Sequence, residues 1–145
     1  MLRAITLHQP WARLIAPMRV KRIETRTWAT EHRGELAIHA SVQAVDQEAV
    51  ERIVGVCPDL QQLHDDNYAH GAIVALVQLD DVVEMTPEWI AQQSLREIAM
   101  GFYEPGHYGW LLSGVQLLRV SVPCRGWMRL WSVPEDVEAA VRAAL

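Results

Sequence analysis

A chain of 145 residues is short for two domains, and its net charge of −5 argues against sequence-independent binding along a nucleic-acid duplex. Half of its residues are hydrophobic, which is enough for a core that needs neither disulfides nor a structural metal. Cys57 and Cys124 have no partner at ligand spacing. We therefore expect a single domain over residues 1–145, reduced and cytoplasmic, without a membrane-spanning segment or a cofactor.

The first forty residues predict a strand, a short helix and two further strands. Residues 3–8 alternate apolar and polar side chains, as strands do. Pro10 is compatible with the first turn of a helix over residues 9–18, and Pro17 ends that helix. Strands follow at residues 20–28 and, after a turn at Arg33–Gly34, at residues 34–40.

The rest of the chain predicts two helices and four more strands. Ser41 is expected to cap a helix over residues 42–55, and Ser132 with Glu135 forms a capping-box pattern before the C-terminal helix. The predicted strands are 71–79, which is apolar enough to be buried on both faces, 108–113, 115–122 and 127–133. This pattern predicts an α+β protein, a small β-barrel of five to six strands decorated by helices.

Charge is segregated along the sequence. Residues 1–34 carry seven basic and two acidic side chains, whereas residues 35–104 carry two arginines and thirteen acids. Residues 105–134 carry three arginines and no acid. If the two basic segments meet in space, they form one basic surface suited to an anionic ligand, opposite an acidic surface. The alternative is that the segments neutralise each other within the fold.

Several common kinds of site are missing from the sequence. The six histidines show no pair at metal-ligand spacing on a helix, so a metal site is not predicted. There is no glycine-rich phosphate loop and no serine in a nucleophile elbow.

Lys21 is the only lysine among thirteen basic residues, and it lies three residues before Glu24. In an extended strand, Arg22 and Arg26 share one face with Glu24 and would hold its carboxylate ionised. A lysine beside this group is either a protonated anion clamp or, if desolvated, a base or nucleophile with a lowered pKa. A solvated ladder of charges on a strand surface is the third interpretation.

These residues resemble the signature of the ASCH domain family, which belongs to the PUA-like β-barrel superfamily. The family's pattern is Gly-x-Lys-x-x-Glu-x-Arg, and Lys21, Glu24 and Arg26 match its last three fixed positions. The resemblance continues through "QPW", "RGELAIHAS", "GAIVALVQL", "YGWLL" and "CRGWMRLW". The family's leading glycine is Arg19 here, so the turn after the first helix must be built differently.

The resemblance implies a cleft between helix and barrel that suits RNA or a nucleobase. One bacterial branch of the family removes the acetyl group of N4-acetylcytidine with a lysine, a threonine and a glutamate. Lys21 matches that lysine, but Glu24 stands at the threonine position, with Thr25 beside it, and the strand expected to carry the glutamate has no acid. For other small members of the family the resemblance implies ribonuclease activity, which it assigns to no particular residues. Whether the protein is an enzyme therefore stays open.

The sequence favours binding of RNA or a modified nucleoside in a basic cleft. The predicted ligand-binding residues are Lys21, Glu24 and Arg26, helped by Arg22, Arg33 and His39, with Trp11, Trp28, Tyr108 and Trp110 as stacking surfaces. A core role is an equally open interpretation for each aromatic residue and for His39. The alternatives are a hydrolase with Lys21 and Glu24 as its acid/base pair, and a module that binds a protein partner through the acidic surface.

Overall fold

The computed structural model describes all 145 residues as one sheet surrounded by short helices. The strands are β1 (Arg3–Leu7), β2 (Ile23–Arg26), β3 (Gly34–Ala40), β4 (Ala72–Glu84), β5 (Tyr108–Pro123) and β6 (Leu130–Ser132). The helices are α1 (Trp11–Ile15), α2 (Gln47–Val56), α3 (Pro87–Ala91), α4 (Leu95–Ala99) and α5 (Glu135–Ala143), with a 3-10 helix at Pro58–His64. None of these helices has the length and apolar character needed to cross a membrane.

The strands pair in the order β2-β5-β4-β3-β1-β6, and only β1 and β3 run parallel. Register shifts interrupt the pairing of β4 with both β3 and β5, and Gly114 adopts a left-handed conformation within β5. Such irregularities bend strands and increase their twist, which curls the sheet. The predicted α+β class and barrel-like architecture are thus confirmed, in the form of a six-stranded curled half-barrel.

The core is divided by the sheet. One cluster on the concave side includes Trp110 and the inward residues of β3 and β4, and α5 covers a second cluster on the other side. A third cluster joins α1 to α2 through Leu14, Val50 and Ile53. Because α1 packs on the sheet with Ile15 and on α2 with Leu14, the chain from β1 to β2 is held on both sides.

Several predicted boundaries were wrong. The strands expected at 108–113 and 115–122 are one strand, β5. Strand β4 continues through residues 80–84, three of which are acidic, because it pairs with β5 along its length. Helix α2 begins at Gln47, capped by Asp46, whose Oδ1 accepts the Ala49 N–H at 3.0 Å. Ser41 instead accepts from the Gln43 backbone N–H, and this local turn replaces the expected first helical turn.

The predicted capping box before the C-terminal helix was also wrong. Ser132 belongs to β6, and α5 follows Pro134 without a side-chain cap. The helix is instead attached by Glu138, which accepts the Leu2 N–H, and by Arg142, which donates to Glu35 on β3 at 2.7 Å.

Loss of the Arg142 guanidinium should make the stability of the protein depend less on pH in the acidic range. The hydrogen bond from Arg142 lowers the pKa of Glu35, and the Leu2 N–H together with Arg142 lowers the pKa of Glu138. A lowered folded-state pKa stabilises the protein above the ordinary carboxyl pKa, and this stabilisation is lost as pH falls through the folded value. We expect Arg142→Ala to lower the melting temperature at pH 7 but to change it little at pH 3. An equal loss at both pH values would contradict the ion-pair explanation.

Arg19 replaces the glycine of the family pattern in the turn after α1, and its φ of 57° is left-handed. The expectation of a differently built turn was therefore wrong, because Arg19 adopts the conformation expected of the glycine. This conformation costs a residue with a Cβ about 1–2 kcal/mol, while glycine adopts it freely but loses more entropy on folding. We expect Arg19→Gly to stabilise the protein by roughly 0.5–1 kcal/mol in urea unfolding. Arg19→Ala removes the same charge and keeps the strain, so it should bring no gain. If Arg19→Ala were also more stable than the wild type, removal of the charge rather than relief of backbone strain would explain the gain in stability.

Candidate nucleobase site

The Lys21 ammonium is completely enclosed just before β2. The residue is 2% exposed, and Nζ donates to the backbone oxygens of Ile23 and Met100, each at 2.7 Å. Glu24 Oε1 lies 3.6 Å away, so all three N–H groups of the ammonium face an oxygen. Burial lowers the pKa of Lys21, and the charges of Glu24 and Glu97 oppose that shift.

Glu24 links the buried lysine to an arginine at the surface of the site. Its Oε2 lies 3.0 Å from Arg26 Nε, and Arg26 Nη2 donates to the Thr6 carbonyl oxygen at 3.1 Å. The Nε–H of Arg26 is not directed at the carboxylate and has no acceptor in the protein. Lys21, Glu24 and Arg26 therefore form a row of alternating charge that runs from the interior outwards. The structure brings these three predicted residues together.

Sequence reasoning missed two residues of this cluster, Glu97 and Tyr103. Glu97 Oε1 accepts the Arg22 N–H at 3.2 Å, while Glu97 Oε2 and the Tyr103 hydroxyl are buried without a hydrogen-bond partner. Burial raises the pKa of both groups, and the Glu97 charge adds to the shift of Tyr103. The capping pattern Ser94-x-x-Glu97 was a usable signal for helix α4, and Ser94 does accept the Glu97 N–H. It gave no indication that α4 lies against Lys21.

A cavity of about 160 Å³ opens beside the Glu24–Arg26 pair. Trp11 and Phe102 are on its wall with ring centroids 5.9 Å apart, and Trp11 Nε1 is buried without an acceptor. The remaining lining residues are Leu7, His8 and Thr25, and Thr25 Oγ1 is held by the Phe102 N–H at 2.9 Å. The cavity thus combines aromatic surface with one carboxylate acceptor and a guanidinium donor. Lys21 lies beneath it and does not line it.

Three of the four predicted stacking residues lie elsewhere. Trp110 is 0% exposed and packs edge-on against Trp28 at 4.9 Å, so it has no surface to offer a ligand. Trp28 and Tyr108 are half-buried against the concave core, and Trp28 carries the Arg129 guanidinium on its face. The expectation for Trp110 is corrected, because tight packing inside the sheet occupies its ring. Only Trp11 lines the cavity.

The predicted arginine helpers are also outside the cavity. Arg22 precedes β2, is exposed, and lines a different depression next to Glu97. Arg33 is exposed and pairs with Asp81 at 3.3 Å.

The basic and acidic segments of the chain partly neutralise each other, as in the alternative stated above. The Arg33–Asp81 pair and the Arg13–Asp65 pair at 2.8 Å both join a basic segment to the acidic one. Lys21 is enclosed rather than on a shared basic surface, so that part of the expectation was wrong.

His39 is a buried positioning residue. Its Nε2 donates to the Cys124 carbonyl oxygen at 2.7 Å, and its Nδ1 lies 3.2 Å from Thr6 Oγ1, which accepts from Trp131 Nε1. Burial lowers the pKa of His39, which favours the neutral ring with the proton on Nε2. The histidine thereby fastens the segment after β5 to β1.

No group of three His, Cys, Asp or Glu side chains is arranged to hold a metal ion.

Comparisons with known proteins found curated relatives, solved structures of the same fold and one matching family model. Activating signal cointegrator 1 of Homo sapiens and of Mus musculus are each 23% identical over 146 residues, covering 97% of this chain and 24% of each relative. The chain therefore spans about a quarter of the length of these curated relatives. Crystal structures of ASCH from Zymomonas mobilis and of a mutant of it share 12% identity with a TM-score of 0.59, covering 98% of this chain and 94% and 96% of theirs, which shows the fold. The ASCH domain model matches residues 5–116, and the chain belongs to the ASCH domain family.

Proposed function

We propose that the protein binds RNA or a modified nucleoside by accepting one base in the cavity between Trp11, Phe102 and the Glu24–Arg26 pair. The observation that carries this proposal is a donor and an acceptor of opposite charge, side by side at a small cavity with aromatic walls. A flat heterocycle is bound by such a set, because its faces stack on aromatic rings and its edge carries both amino and carbonyl groups. General RNA binding in the ASCH family supports the same conclusion.

The two charged groups suit a base with an amino group next to a carbonyl or ring-nitrogen acceptor. The Glu24 carboxylate accepts from an exocyclic amino group, and the partly exposed Arg26 guanidinium donates to the neighbouring acceptor. Cytosine, adenine and guanine carry this pattern, whereas uracil has no amino group. A base with an acylated amino group keeps one N–H for Glu24.

Replacing Arg26 should weaken binding without unfolding the protein. Arg26→Met removes the exposed end of the charge row and leaves the Lys21–Glu24 pair intact, so the loss of a charged hydrogen bond is expected to weaken binding by about tenfold or more. Arg33→Met is the matched control, since it removes an equal charge outside the cavity and should change affinity less than twofold. Calorimetric titration with cytidine, guanosine, uridine and N4-acetylcytidine provides the measurement. Equal effects of the two variants would contradict the proposed site.

A hydrolase acting on an acylated nucleoside or on RNA is the second candidate, and the lowered Lys21 pKa is the observation that favours it. The contacts of Lys21 argue against it, because two backbone carbonyl oxygens accept hydrogen bonds from the ammonium and Glu24 forms an ion pair with it. Its Nζ also does not reach the cavity. We expect no acetate release when N4-acetylcytidine is incubated with the protein. Acetate release by the wild-type protein would establish the enzyme instead.

A further inference from the structure

A second, larger pocket adjoins the nucleobase cavity. It has a volume of about 470 Å³, and His8 lines both spaces. Thr6 also lines the larger pocket, and its carbonyl oxygen accepts from Arg26 of the first site. The two spaces therefore share His8 as a lining residue, and adjoining pockets are what a strand needs to bind consecutive bases.

The outer wall of this pocket is the segment 124–129, which we call the Trp127 loop. Trp127 is 52% and Met128 is 89% exposed, although both are large apolar side chains. The Arg125 guanidinium lies 4.0 Å above the Trp127 ring. No acidic side chain lines the pocket, and the polar groups on its floor include Ser41 and Gln43. An exposed indole beside a guanidinium is the combination that binds a base together with its phosphate.

The backbone of the Trp127 loop is fixed even though its side chains are exposed. The Cys124 carbonyl accepts from His39, and the Cys124 N–H donates to the Gly71 carbonyl oxygen at 3.0 Å. A Cβ at Gly126 would lie 2.6 Å from the His39 ring, so the loop packs directly on that histidine. A ligand that binds Trp127 thus does not have to order the loop first, which preserves affinity.

We propose that the protein binds a single-stranded oligonucleotide across both pockets, with one base beside Glu24 and Arg26 and the neighbouring base on Trp127. Arg125 and His8 then contact the phosphate that links the two nucleotides. This proposal rests on the proposed function and extends it, because it makes an oligonucleotide the preferred ligand over a free nucleoside.

The test compares single-stranded RNA trinucleotides with the matching free nucleosides by calorimetric titration. The best trinucleotide should bind at least about tenfold more tightly than its nucleoside. Trp127→Ala should weaken the trinucleotide about 5- to 100-fold, the range for one lost base stack, and leave nucleoside affinity within twofold. Arg125→Ala should reduce the slope of log affinity against log salt by about 0.7, the value for one phosphate contact to a single strand.

Arg119→Ala is the control for charge, since Arg119 donates to the Ala143 carbonyl oxygen of α5 and lines neither pocket. Melting temperatures of all variants show whether folding is retained. If nucleoside and trinucleotide bind equally, or if both loop variants bind the trinucleotide like the wild type, the second subsite is refuted while the proposed function stands. If neither ligand binds to the wild type, both proposals fall.

Discussion

Replacing Lys21 with methionine is expected to reduce the free energy of unfolding by about 3–5 kcal/mol, the usual effect of removing one partner of a buried ion pair. Methionine is similar in length and apolar, so it fills the space. It leaves the Ile23 and Met100 carbonyl oxygens without their hydrogen-bond donor and the buried Glu24 carboxylate without the neighbouring ammonium. Because domains are stable by only about 5–15 kcal/mol, much of this protein should be unfolded or insoluble in the variant. Urea unfolding followed by tryptophan fluorescence measures the effect.

The double variant Lys21→Met/Glu24→Gln tests the reason for this loss. The double variant also removes the carboxylate that has lost the neighbouring ammonium, so it should recover a large part of the stability that the single variant loses. Glu51→Gln on α2 is the matched control. Glu51 is exposed, so its replacement should not restore the stability that Lys21→Met loses. A single variant as stable as the wild type would show that Lys21 is not held as the structure describes.

The same contacts change what is expected of Lys21→Arg. As a surface clamp, Lys21 would tolerate arginine with affinity retained within a few fold. In the structure, the ammonium lies between two carbonyl oxygens at 2.7 Å, where a planar guanidinium is too large. Lys21→Arg should therefore also destabilise the protein, and loss of function in this variant alone would not identify a catalytic lysine.

Local patterns predicted most strands and the row of charges in β2. Residues 34–40 and the core of β4 were found correctly because alternating or continuous apolar residues determine how a strand is buried. Lys21, Glu24 and Arg26 were identified through their spacing, which places them within one turn and one strand. In these cases, residues near in sequence also interact in space.

The remaining parts of the site depend on contacts between distant residues. The Met100 carbonyl that binds Lys21 is 79 positions away, and Phe102 reaches the cavity through a loop held by Thr25. No local periodicity indicates such contacts. The aromatic residues illustrate the same limit, since Trp11 and Trp110 are both large and apolar, and only the packing of the sheet decides that Trp110 is enclosed.

Replacing Trp110 with alanine should also be among the most damaging changes, at about 3–5 kcal/mol of the free energy of unfolding. The side chain is fully buried in the concave core, and its Nε1 donates to the Trp28 carbonyl oxygen at 3.3 Å. Alanine would leave a large cavity opposite Glu24, its partner in the β2–β5 pairing, and would loosen the strand that carries the site. Trp110→Phe should lose less, because it keeps most of the buried ring.

Trp127→Ala is the matched control for Trp110→Ala, since it truncates the same residue type at an exposed position. We expect it to change the free energy of unfolding by only about 0.5 kcal/mol, as is usual for surface substitutions. Thermal unfolding is measured for the three tryptophan variants, and ligand binding is measured for those that fold. Together the two measurements separate a role in stability from a role in stacking on a base. If Trp110→Ala melted like the wild type but failed to bind nucleosides, Trp110 would be a stacking surface. The opposite pattern is expected, because a ring packed on all sides stabilises β5 and cannot contact a base.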